Sequence, residues 1–325
     1  MKQFDIIALG ELNVDLILNQ IDGFPEVGKE KFLKQMTLTL GSSTAIFAAN
    51  AAALGAKVAF CGMIGNDSFG DLVETSLQKK GVDTRFLIRQ DKYATGATIC
   101  MSYDEDRANL TYQGAMDYMS LADINPEVFK VAKHIHISSI FMQSGIRRDI
   151  VKILNICKEN GITTSLDSQW DPTEKWDINL QEVLPLVTLF MPNETELKFL
   201  TKSETLEEAI EKIRPYTNAA VIKCGSRGSI LIRKGELRDS GELQTFPDRV
   251  QEALLNTNVV DCIGAGDSFN AGFIARFAAG DALDQCQQYG NMTGAVNTTA
   301  AGGTAAFTSR EEVERIGRER FGWEK

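Results

Sequence analysis

The sequence predicts an open, doubly wound α/β fold, in which helices cover both faces of a mainly parallel sheet. Apolar runs of strand length recur along the chain, from Phe4–Leu9 to Ala219–Lys223. Segments with helical periodicity, such as Ser68–Lys79, separate these runs. Runs such as Phe4–Leu9 and Ala219–Lys223 are almost entirely apolar and do not alternate with polar residues, which is typical of parallel strands that are buried on both faces.

The other predicted elements follow the same alternation along the chain. The strands have four to six residues each, whereas the helices place apolar residues every three or four positions. The further predicted strands are 57–61, 134–138, 163–167 and 187–190, and the further predicted helices are 42–54, 147–160 and 194–200.

Two segments, 13–40 and 96–112, interrupt this rhythm. Each alternates in the manner of β-strands and contains turn residues, with no helix inside it. They predict a small β-sheet inserted into the α/β body, which would form a lid. No flexible linker, low-complexity tract or internal repeat divides the rest, so residues 1–325 are predicted to form a single domain.

The composition excludes some classes of partner. A chain of 325 residues with 43% hydrophobic and 24% charged residues is long enough to bury a large core. Its net charge of −10 argues against nucleic acid or an anionic membrane, because a phosphate backbone requires clustered Lys and Arg. A single phosphate group is still compatible with this charge, since a few backbone amides can hold one.

The six cysteines contain no CxxC pair and lie mostly in apolar runs. They are predicted to be buried thiols, in neither a disulfide framework nor a zinc site. The first residues do not have the pattern of a signal peptide, and no run of 18 apolar residues occurs. We therefore expect neither secretion nor membrane spanning, and a cytoplasmic location.

The most informative segment is the glycine-rich turn before an apolar helical run, 259–274. Small residues let the amides near Ala265, Gly266 and Asp267 form an anion site at the start of the helix. A carboxylate at Asp267, beside a bound phosphate, could accept the proton of an attacking hydroxyl. The alternative is that Asp267 only caps the helix.

Two other nucleotide motifs can be set aside. The chain contains no GxxxxGK[ST], which excludes a Walker-type P-loop. The glycines at 264 and 266 are not followed by the third glycine of a GxGxxG turn. A dinucleotide-binding Rossmann site is therefore disfavoured.

Residues 261–267 read DCIGAGD and resemble the D-T-x-G-A-G-D signature of ribokinase-like (PfkB) carbohydrate kinases, with Cys262 in place of Thr or Ser. Four further motifs in the family's order extend the resemblance over nearly the whole chain. It implies an ATP- and Mg²⁺-dependent kinase acting on a hydroxyl of a sugar or sugar acid, similar to fructokinase, ribokinase or 2-keto-3-deoxygluconate kinase. Asp267 would be the catalytic base, with Gly264, Ala265 and Gly266 beside the transferred phosphoryl group.

Residues 10–15, GELNVD, resemble the family's G-x-x-x-x-D motif. The resemblance implies that Asp15 binds sugar hydroxyls, with Asn13 close by. A carboxylate can accept hydrogen bonds from two neighbouring hydroxyls. The alternative is a turn in which Asn13 and Asp15 bond to local backbone groups.

The segment 41–50 is similar to the family's G-G-x-x-A-N signature and implies that Gly41, Ser42 and Ser43 lie at the substrate. Ile46 replaces the usual Asn. Asn50 lies one helical turn after Ile46 and therefore projects from the same face. It would either contact the substrate in place of that Asn or pack against the sheet.

The segment 191–196, MPNETE, resembles the P-N-x-x-E motif that holds hydrated Mg²⁺. Mg²⁺ keeps several waters and takes oxygen ligands, so Asn193 and Glu196 suit it chemically. The same spacing fits a capping box, in which Asn193 caps a helix and Glu196 bonds back to it. The two interpretations are compatible.

The segment 221–229 is similar to the strand and glycine turn that the family places beside the nucleotide, which implies contacts from Lys223, Gly225, Ser226 and Gly228. Residues 291–303 resemble the adenine wall and the loop after it. Two side chains of that wall, Asn291 and Asn297, are predicted to bind the nucleotide. The resemblance also implies a monovalent cation such as K⁺ near Asp261.

The sequence leaves two alternatives to a sugar kinase, a nucleoside kinase and a non-catalytic sugar-sensing protein. A nucleoside kinase, adenosine-like, would have the same fold and signatures but a larger and more aromatic pocket. A non-catalytic sugar-sensing protein would have no need of the base at Asp267, so the complete 264–267 run argues against it. The predicted partners are the sugar, ATP and, through the lid, a second copy of the chain.

Overall fold

The computed structural model describes residues 2–103, 106–237, 243–244 and 246–324. Residues 104 and 105 of the predicted lid segment 96–112 lie outside the described residues. So do residues 1, 238–242, 245 and 325 of the predicted domain.

The described residues contain fifteen strands and ten α-helices. The strands are β1 (Phe4–Leu9), β2 (Asn13–Ile21), β3 (Leu33–Leu40), β4 (Val58–Gly65), β5 (Asp83–Gln90), β6 (Gly96–Tyr103), β7 (Asp106–Tyr112), β8 (Ala132–Ser138), β9 (Thr163–Asp167), β10 (Leu189–Phe190), β11 (Ala219–Lys223), β12 (Ser229–Arg233), β13 (Glu236–Leu237), β14 (Leu243–Gln244) and β15 (Arg249–Gln251). The helices are α1 (Ser43–Ala53), α2 (Ser68–Lys79), α3 (Val128–Val131), α4 (Ser144–Glu159), α5 (Leu180–Val183), α6 (Glu194–Thr201), α7 (Leu206–Ile213), α8 (Ala265–Ala278), α9 (Leu283–Asn297) and α10 (Arg310–Phe321).

Nine of these strands form the main sheet, in the order β15-β12-β11-β10-β9-β8-β1-β4-β5. Neighbouring strands from β11 to β5 are parallel, whereas β12 and β15 run antiparallel at one edge. The strand order reverses at β1, which has β4 on one side and β8 on the other. The predicted doubly wound, mainly parallel sheet is therefore confirmed.

Strand β1 illustrates why a central parallel strand is largely apolar on both faces. Ile6 and Ala8 belong to a buried cluster that side chains of α1, α2 and α8 complete. Ile7 and Leu9 belong to a second buried cluster, which includes side chains of α4, α6 and α7. Because successive residues point to opposite faces, both faces of β1 require apolar residues.

Four strands form a second, smaller sheet in the order β3-β2-β6-β7, here called the lid sheet. The predicted small sheet beside the main sheet is confirmed, and its strands lie within the segments 13–40 and 96–112. Strand β2 begins four residues after β1 ends, which fixes the lid sheet beside the carboxyl end of β1. Three of its strands, β2, β6 and β7, contribute polar side chains to a cavity between the two sheets.

Candidate active site

Two adjoining cavities open at the carboxyl ends of the parallel strands. The first, here called the lid cavity, has a volume of about 490 Å³, and the second, the α9 cavity, has a volume of about 360 Å³. Lys223 at the end of β11 lines both, as do Ala265 and Gly266 at the start of α8. Open α/β sheets bind ligands at the carboxyl ends of strands where the strand order reverses, as it does here at β1.

Helix α8 begins after Gly264, and the position requires a glycine. Its φ of 73° lies in the left-handed region. A Cβ at this position would approach Cα of Gly303 to 2.8 Å. Because glycine has no Cβ, the turn can pack against the loop at residue 303, and the start of α8 then lies at both cavities.

The first turn of α8 has two backbone amides that make no hydrogen bond within the described chain. The N–H of Ala265 donates to the carbonyl of Cys262 at 3.2 Å, which leaves the amides of Gly266 and Asp267. Amides at the start of a helix attract anions. The structure thus offers two amides for an anion, where the sequence predicted three.

Asp267 lies in the same turn, and its carboxylate lines the lid cavity. It is 7% exposed, and Oδ1 accepts a hydrogen bond from Nε2 of Gln169 at 2.9 Å. Burial raises the pKa of Asp267 well above its usual value, the charge of Asp167 raises it further, and Lys223 opposes the rise. A carboxylate of raised pKa is suited to take a proton from a hydroxyl.

Asp167, the last residue of β9, connects three elements behind the base. It is fully buried, and Oδ2 accepts hydrogen bonds from Nζ of Lys223 and from Nδ2 of Asn270, each at 2.5 Å. Burial lowers the pKa of Lys223, but the charges of Asp167 and Glu196 outweigh burial, and the pKa is raised. Lys223 is therefore held as a cation between the two cavities.

The predicted substrate residues come together at the lid end of the lid cavity, where Asn13, Asp15, Ser42 and Ser43 form part of its lining. Nδ2 of Asn13 donates to Oδ1 of Asp15 at 2.8 Å and to Oγ1 of Thr98 at 3.0 Å. Gly41 does not line the cavity itself. A Cβ at Gly41 would lie 2.3 Å from Oδ1 of Asp15, so glycine leaves room for this carboxylate.

Asn50 does not reach either cavity, and the predicted contact with the substrate is wrong. Its side chain is fully buried, and Nδ2 donates to Oγ of Ser268 at 2.9 Å and to the carbonyl of Gly303 at 2.8 Å. The face of α1 that carries Ile46 and Asn50 packs against α8, and only Ile46 reaches the lid cavity. Asn50 has a packing role, as the alternative held, but it packs against α8 and the loop at Gly303 and not against the sheet.

Asn297 is likewise buried beneath the site and does not line the α9 cavity. Its Oδ1 accepts from Oγ of Ser268 at 2.8 Å, and its Nδ2 donates to the carbonyl of Ile263 at 2.7 Å. The predicted nucleotide contact of Asn297 is therefore wrong. Its side chain instead fixes the turn that leads into α8.

Asn193 and Glu196 form the predicted capping box and also line the lid cavity. Oδ1 of Asn193 accepts from the amide of Glu196 at 2.8 Å, and Oε2 of Glu196 accepts from the amide of Asn193 at 2.9 Å. Burial and the charge of Asp167 raise the pKa of Glu196 to about 7. One amide and one carboxylate suit Mg²⁺, which keeps most of its water shell.

No group of three or more His, Cys, Asp or Glu side chains that could hold a metal ion occurs in the described part of the chain. Asp261 uses both oxygens for backbone groups: Oδ1 accepts from the amide of Ile263 and Oδ2 from that of Gly302, each at 2.8 Å. These bonds tie the segment before α8 to the loop after α9.

The α9 cavity is more apolar and lies between α9, α8 and the turn after β11. The predicted residues Gly225, Ser226, Gly228 and Asn291 line it, together with Phe269 of α8. A Cβ at Gly228 would lie 1.9 Å from the carbonyl oxygen of Gln251, so glycine is required there. Nδ2 of Asn291 is buried and has no partner among the described residues, which leaves one donor for a ligand.

Glu11 and Gln169 are among the lining residues of the lid cavity that were not predicted. Oε1 of Glu11, which is buried, accepts from the amide of Thr44 and from Oγ of Ser42, each at 3.2 Å. Each residue lies two positions beyond the end of a parallel strand, β1 and β9 respectively. This placement could have identified both residues from the sequence, because the carboxyl ends of parallel strands meet at one edge of the sheet.

Comparison with known proteins agrees with this geometry. The profile described as pfkB family carbohydrate kinase matches residues 3–310. The chain belongs to the pfkB family of carbohydrate kinases. As a pfkB kinase it is a phosphotransferase with a hydroxyl acceptor, and the family predicted from the sequence is confirmed.

Curated relatives of this pfkB kinase align along nearly their whole length. A ribokinase of Haemophilus influenzae is 25% identical over 316 residues, 95% of this chain and 96% of the relative. A 2-dehydro-3-deoxygluconokinase of Bacillus subtilis is 24% identical over 323 residues, 96% of this chain and 94% of the relative.

Solved structures share the fold of the pfkB kinase. The Arabidopsis thaliana ribokinase complexed with ribose and ATP has a TM-score of 0.80 and 22% identity, covering 97% of this chain and 99% of that one. A putative ribokinase II from E. coli in complex with ATP and Mg²⁺ has a TM-score of 0.78, 22% identity and the same coverage. Among the described helices, none is long and apolar enough to cross a membrane.

Proposed function

We propose that this pfkB kinase transfers the γ-phosphoryl group of ATP to a hydroxyl of a sugar or sugar acid bound in the lid cavity, with Asp267 as the base. The observation that carries the proposal is the position of the α8 turn. Ala265 and Gly266 line both cavities, while the carboxylate of Asp267 faces the lid cavity alone. A donor in one cavity and an acceptor in the other would meet at this turn.

The two unpartnered amides, at Gly266 and Asp267, support binding of the transferred phosphoryl group. Donors that are already oriented stabilise the charge that develops in the transition state without reorganisation. Asp267 takes the proton of the attacking hydroxyl, and its neighbour Lys223 carries a positive charge toward the phosphates. Little covalent chemistry is then left for the protein.

ATP fits the α9 cavity, whose apolar walls suit a base and where the unpartnered amide of Asn291 supplies one donor. Mg²⁺ neutralises charge on phosphate oxygens, and Asn193 and Glu196 would hold its water shell. The two complexes cited above, one with ribose and ATP and one with ATP and Mg²⁺, support this assignment by their shared fold. A monovalent cation such as K⁺ near Asp261 stays a prediction.

A sugar is favoured over a nucleoside by the lining of the lid cavity. The described lining contains carboxylate, amide and hydroxyl groups together with Cys, Met and Ile, and no aromatic side chain. A nucleoside base ordinarily requires a flat apolar or aromatic surface. Closure of the lid sheet on the sugar would exclude water, which competes as a phosphoryl acceptor.

We further propose that residues 1–325 act as one cytoplasmic domain and that the lid sheet pairs with that of a second copy. Leu38, Leu16, Ile99 and Leu110 form a row across β3, β2, β6 and β7, on the side opposite the cavity. Leu38 and Leu110 are 41% and 61% exposed. Sedimentation velocity should show a dimer that Leu38→Asp dissociates and that Val250→Asp, at an exposed apolar residue outside the lid, leaves intact.

A coupled assay of ADP release against sugars, sugar acids and nucleosides tests the proposed function. One of the sugars or sugar acids should support turnover, and Asp267→Asn should lower kcat by a factor on the order of 10² to 10⁴ while both substrates still bind. Turnover at the wild-type rate by folded Asp267→Asn would remove Asp267 from the mechanism. Turnover with nucleosides alone would select the alternative.

A further inference from the structure

Gln169 connects the proposed base to a second, fully buried carboxylate. It follows β9, lines the lid cavity, and its Nε2 donates to Oδ1 of Asp267 at 2.9 Å and to Oδ2 of Asp167 at 3.1 Å. One amide nitrogen thus uses both of its hydrogens on two carboxylates. The hydrogen bonds to Asp167 and to Asp267 together hold the side chain of Gln169 in place.

The far end of the bridge is rigid. Asp167 is fully buried and is held by Nζ of Lys223 and by Nδ2 of Asn270 at 2.5 Å each. Asn270 lies three residues after Asp267 on the same face of α8. The sheet and helix α8 therefore fix the position of Asp167, and Gln169 links Asp267 to this fixed carboxylate.

The backbone of Gln169 adopts a conformation that glycine adopts more easily. Its φ is +56°, in the left-handed region that is unfavourable for a residue with a Cβ. Strain of this kind persists where the surrounding structure enforces it, and it is concentrated at functional sites. A glycine would relieve the strain at this position but would lose the amide that bridges Asp167 and Asp267.

We propose that Gln169 is a positioning residue for phosphoryl transfer: it holds Oδ1 of Asp267, so that Oδ2 faces the hydroxyl of the bound sugar. Oδ2 of Asp267 makes no hydrogen bond to any described residue, whereas Oδ1 is occupied. The proposal rests on the proposed role of Asp267 as the base. Without the bridge, repulsion between the carboxylates of Asp167 and Asp267 would turn the base away from this orientation.

The decisive variant is Gln169→Gly, because it removes the bridge and the backbone strain together. We expect kcat to fall by a factor on the order of 10 to 100, as for a misplaced catalytic group. The KM values for sugar and ATP should stay within about twofold, since the bridge acts on the transition state and not on binding. The melting temperature should not fall. Gln169→Glu, which adds a third carboxylate, should lower kcat at least as much.

Gln287→Ala is the matched control, because Gln287 is also fully buried and its Nε2 donates to the backbone carbonyl of Ser229 at 3.0 Å, away from Asp267. It should lower the melting temperature and leave kcat unchanged. Wild-type kcat in Gln169→Gly, or a loss of kcat that Gln287→Ala shares, would overturn the proposal. Asp267→Asn, measured in parallel, separates the two hypotheses: if it is inactive while Gln169→Gly is fully active, only the positioning role fails.

Discussion

Nδ2 of Asn50 on α1 donates a hydrogen bond to Oγ of Ser268 on α8, and Ser268 directly follows Asp267. Oγ of Ser268 in turn donates to Asn297 on α9. Three helices are thus joined beneath the residue that we propose as the base. This contact favours a packing role for Asn50, against α8, over contact with the substrate.

Asn50→Ala should therefore lower stability and spare affinity. The substitution leaves the carbonyl of Gly303 without its buried donor, which ordinarily costs about 1–3 kcal/mol. Chemical denaturation should show this loss in the free energy of unfolding, while the KM for the sugar stays at the wild-type value. A raised KM in a variant of unchanged stability would return Asn50 to the substrate site.

The strands of the main sheet were largely predictable, because a strand that is buried on both faces has a run of apolar residues in the sequence. Phe4–Leu9 and Ala219–Lys223 begin and end where the apolar runs do. The predicted strand Thr163–Asp167 also has the observed bounds, although Leu166 is its one apolar residue. The predicted strand 187–190 is reduced to Leu189–Phe190, a pair of residues that bonds to β9 on one side and β11 on the other. Apolar residues outside a strand are buried as well, so the pattern overstates its length.

The site was predictable at the level of motifs but not of every side chain. The sequence predicted Asp15, Glu196 and Asp267 as site residues from glycine turns and strand ends, and all three line one cavity. It misplaced Asn50 and Asn297, since helical spacing alone does not say which neighbouring helix covers a face. A hydrogen bond such as that from Gln169 to Asp267 spans 98 positions and has no sequence signal of its own.

The pH dependence of turnover should reflect the raised pKa of Asp267. Burial and the charge of Asp167 raise this pKa, and the base must be ionised to act. Activity should therefore be lost as the pH falls through the raised pKa, at a higher pH than for an ordinary aspartate. The profile of kcat against pH at saturating Mg²⁺ measures this.

Lys223→Met tests in which direction the acid limb of the kcat profile moves. Lys223 lowers the pKa of Asp267, so its loss should move the acid limb of the kcat profile to higher pH. Both substrates must be saturating, because Lys223 also lines the α9 cavity. An acid limb that stays in place in Lys223→Met, or moves to lower pH, would show that another group controls it.

The requirement for Mg²⁺ should increase as the pH falls below neutral. Burial and the charge of Asp167 raise the pKa of Glu196 to about 7, so protons compete with the ion's water shell for this carboxylate below that pH. Wild-type protein should need more Mg²⁺ for half-maximal activity at pH 6 than at pH 8. Titration of activity with Mg²⁺ at each pH is the measurement.

Glu196→Gln separates metal binding from capping. Glutamine still completes a capping box, so the free energy of unfolding should change little. The Mg²⁺ concentration at half-maximal activity should rise roughly tenfold or more, as for the loss of a side chain that holds a water bound to the ion, and should no longer depend on pH. If stability falls while the Mg²⁺ titration is unchanged, Glu196 serves the cap alone.

Asp15 should dominate recognition of the sugar, because Ile46 brings no polar group to the lid cavity and Asn50 is turned away from it. Asp15 is half-buried, and removing a carboxylate that accepts from two hydroxyls of an enclosed sugar leaves both unpaired, which costs about 1–3 kcal/mol. Asp15→Ala should therefore raise the KM for the sugar roughly tenfold or more and leave the KM for ATP unchanged. Thr39→Ala is the control, since Thr39 pairs with Asp15 across the lid sheet but does not line the cavity. If calorimetry on folded Asp15→Ala gives the wild-type affinity for the sugar, the sugar does not bind at the lid end of the lid cavity. The proposed positions of the sugar and of ATP would then be wrong.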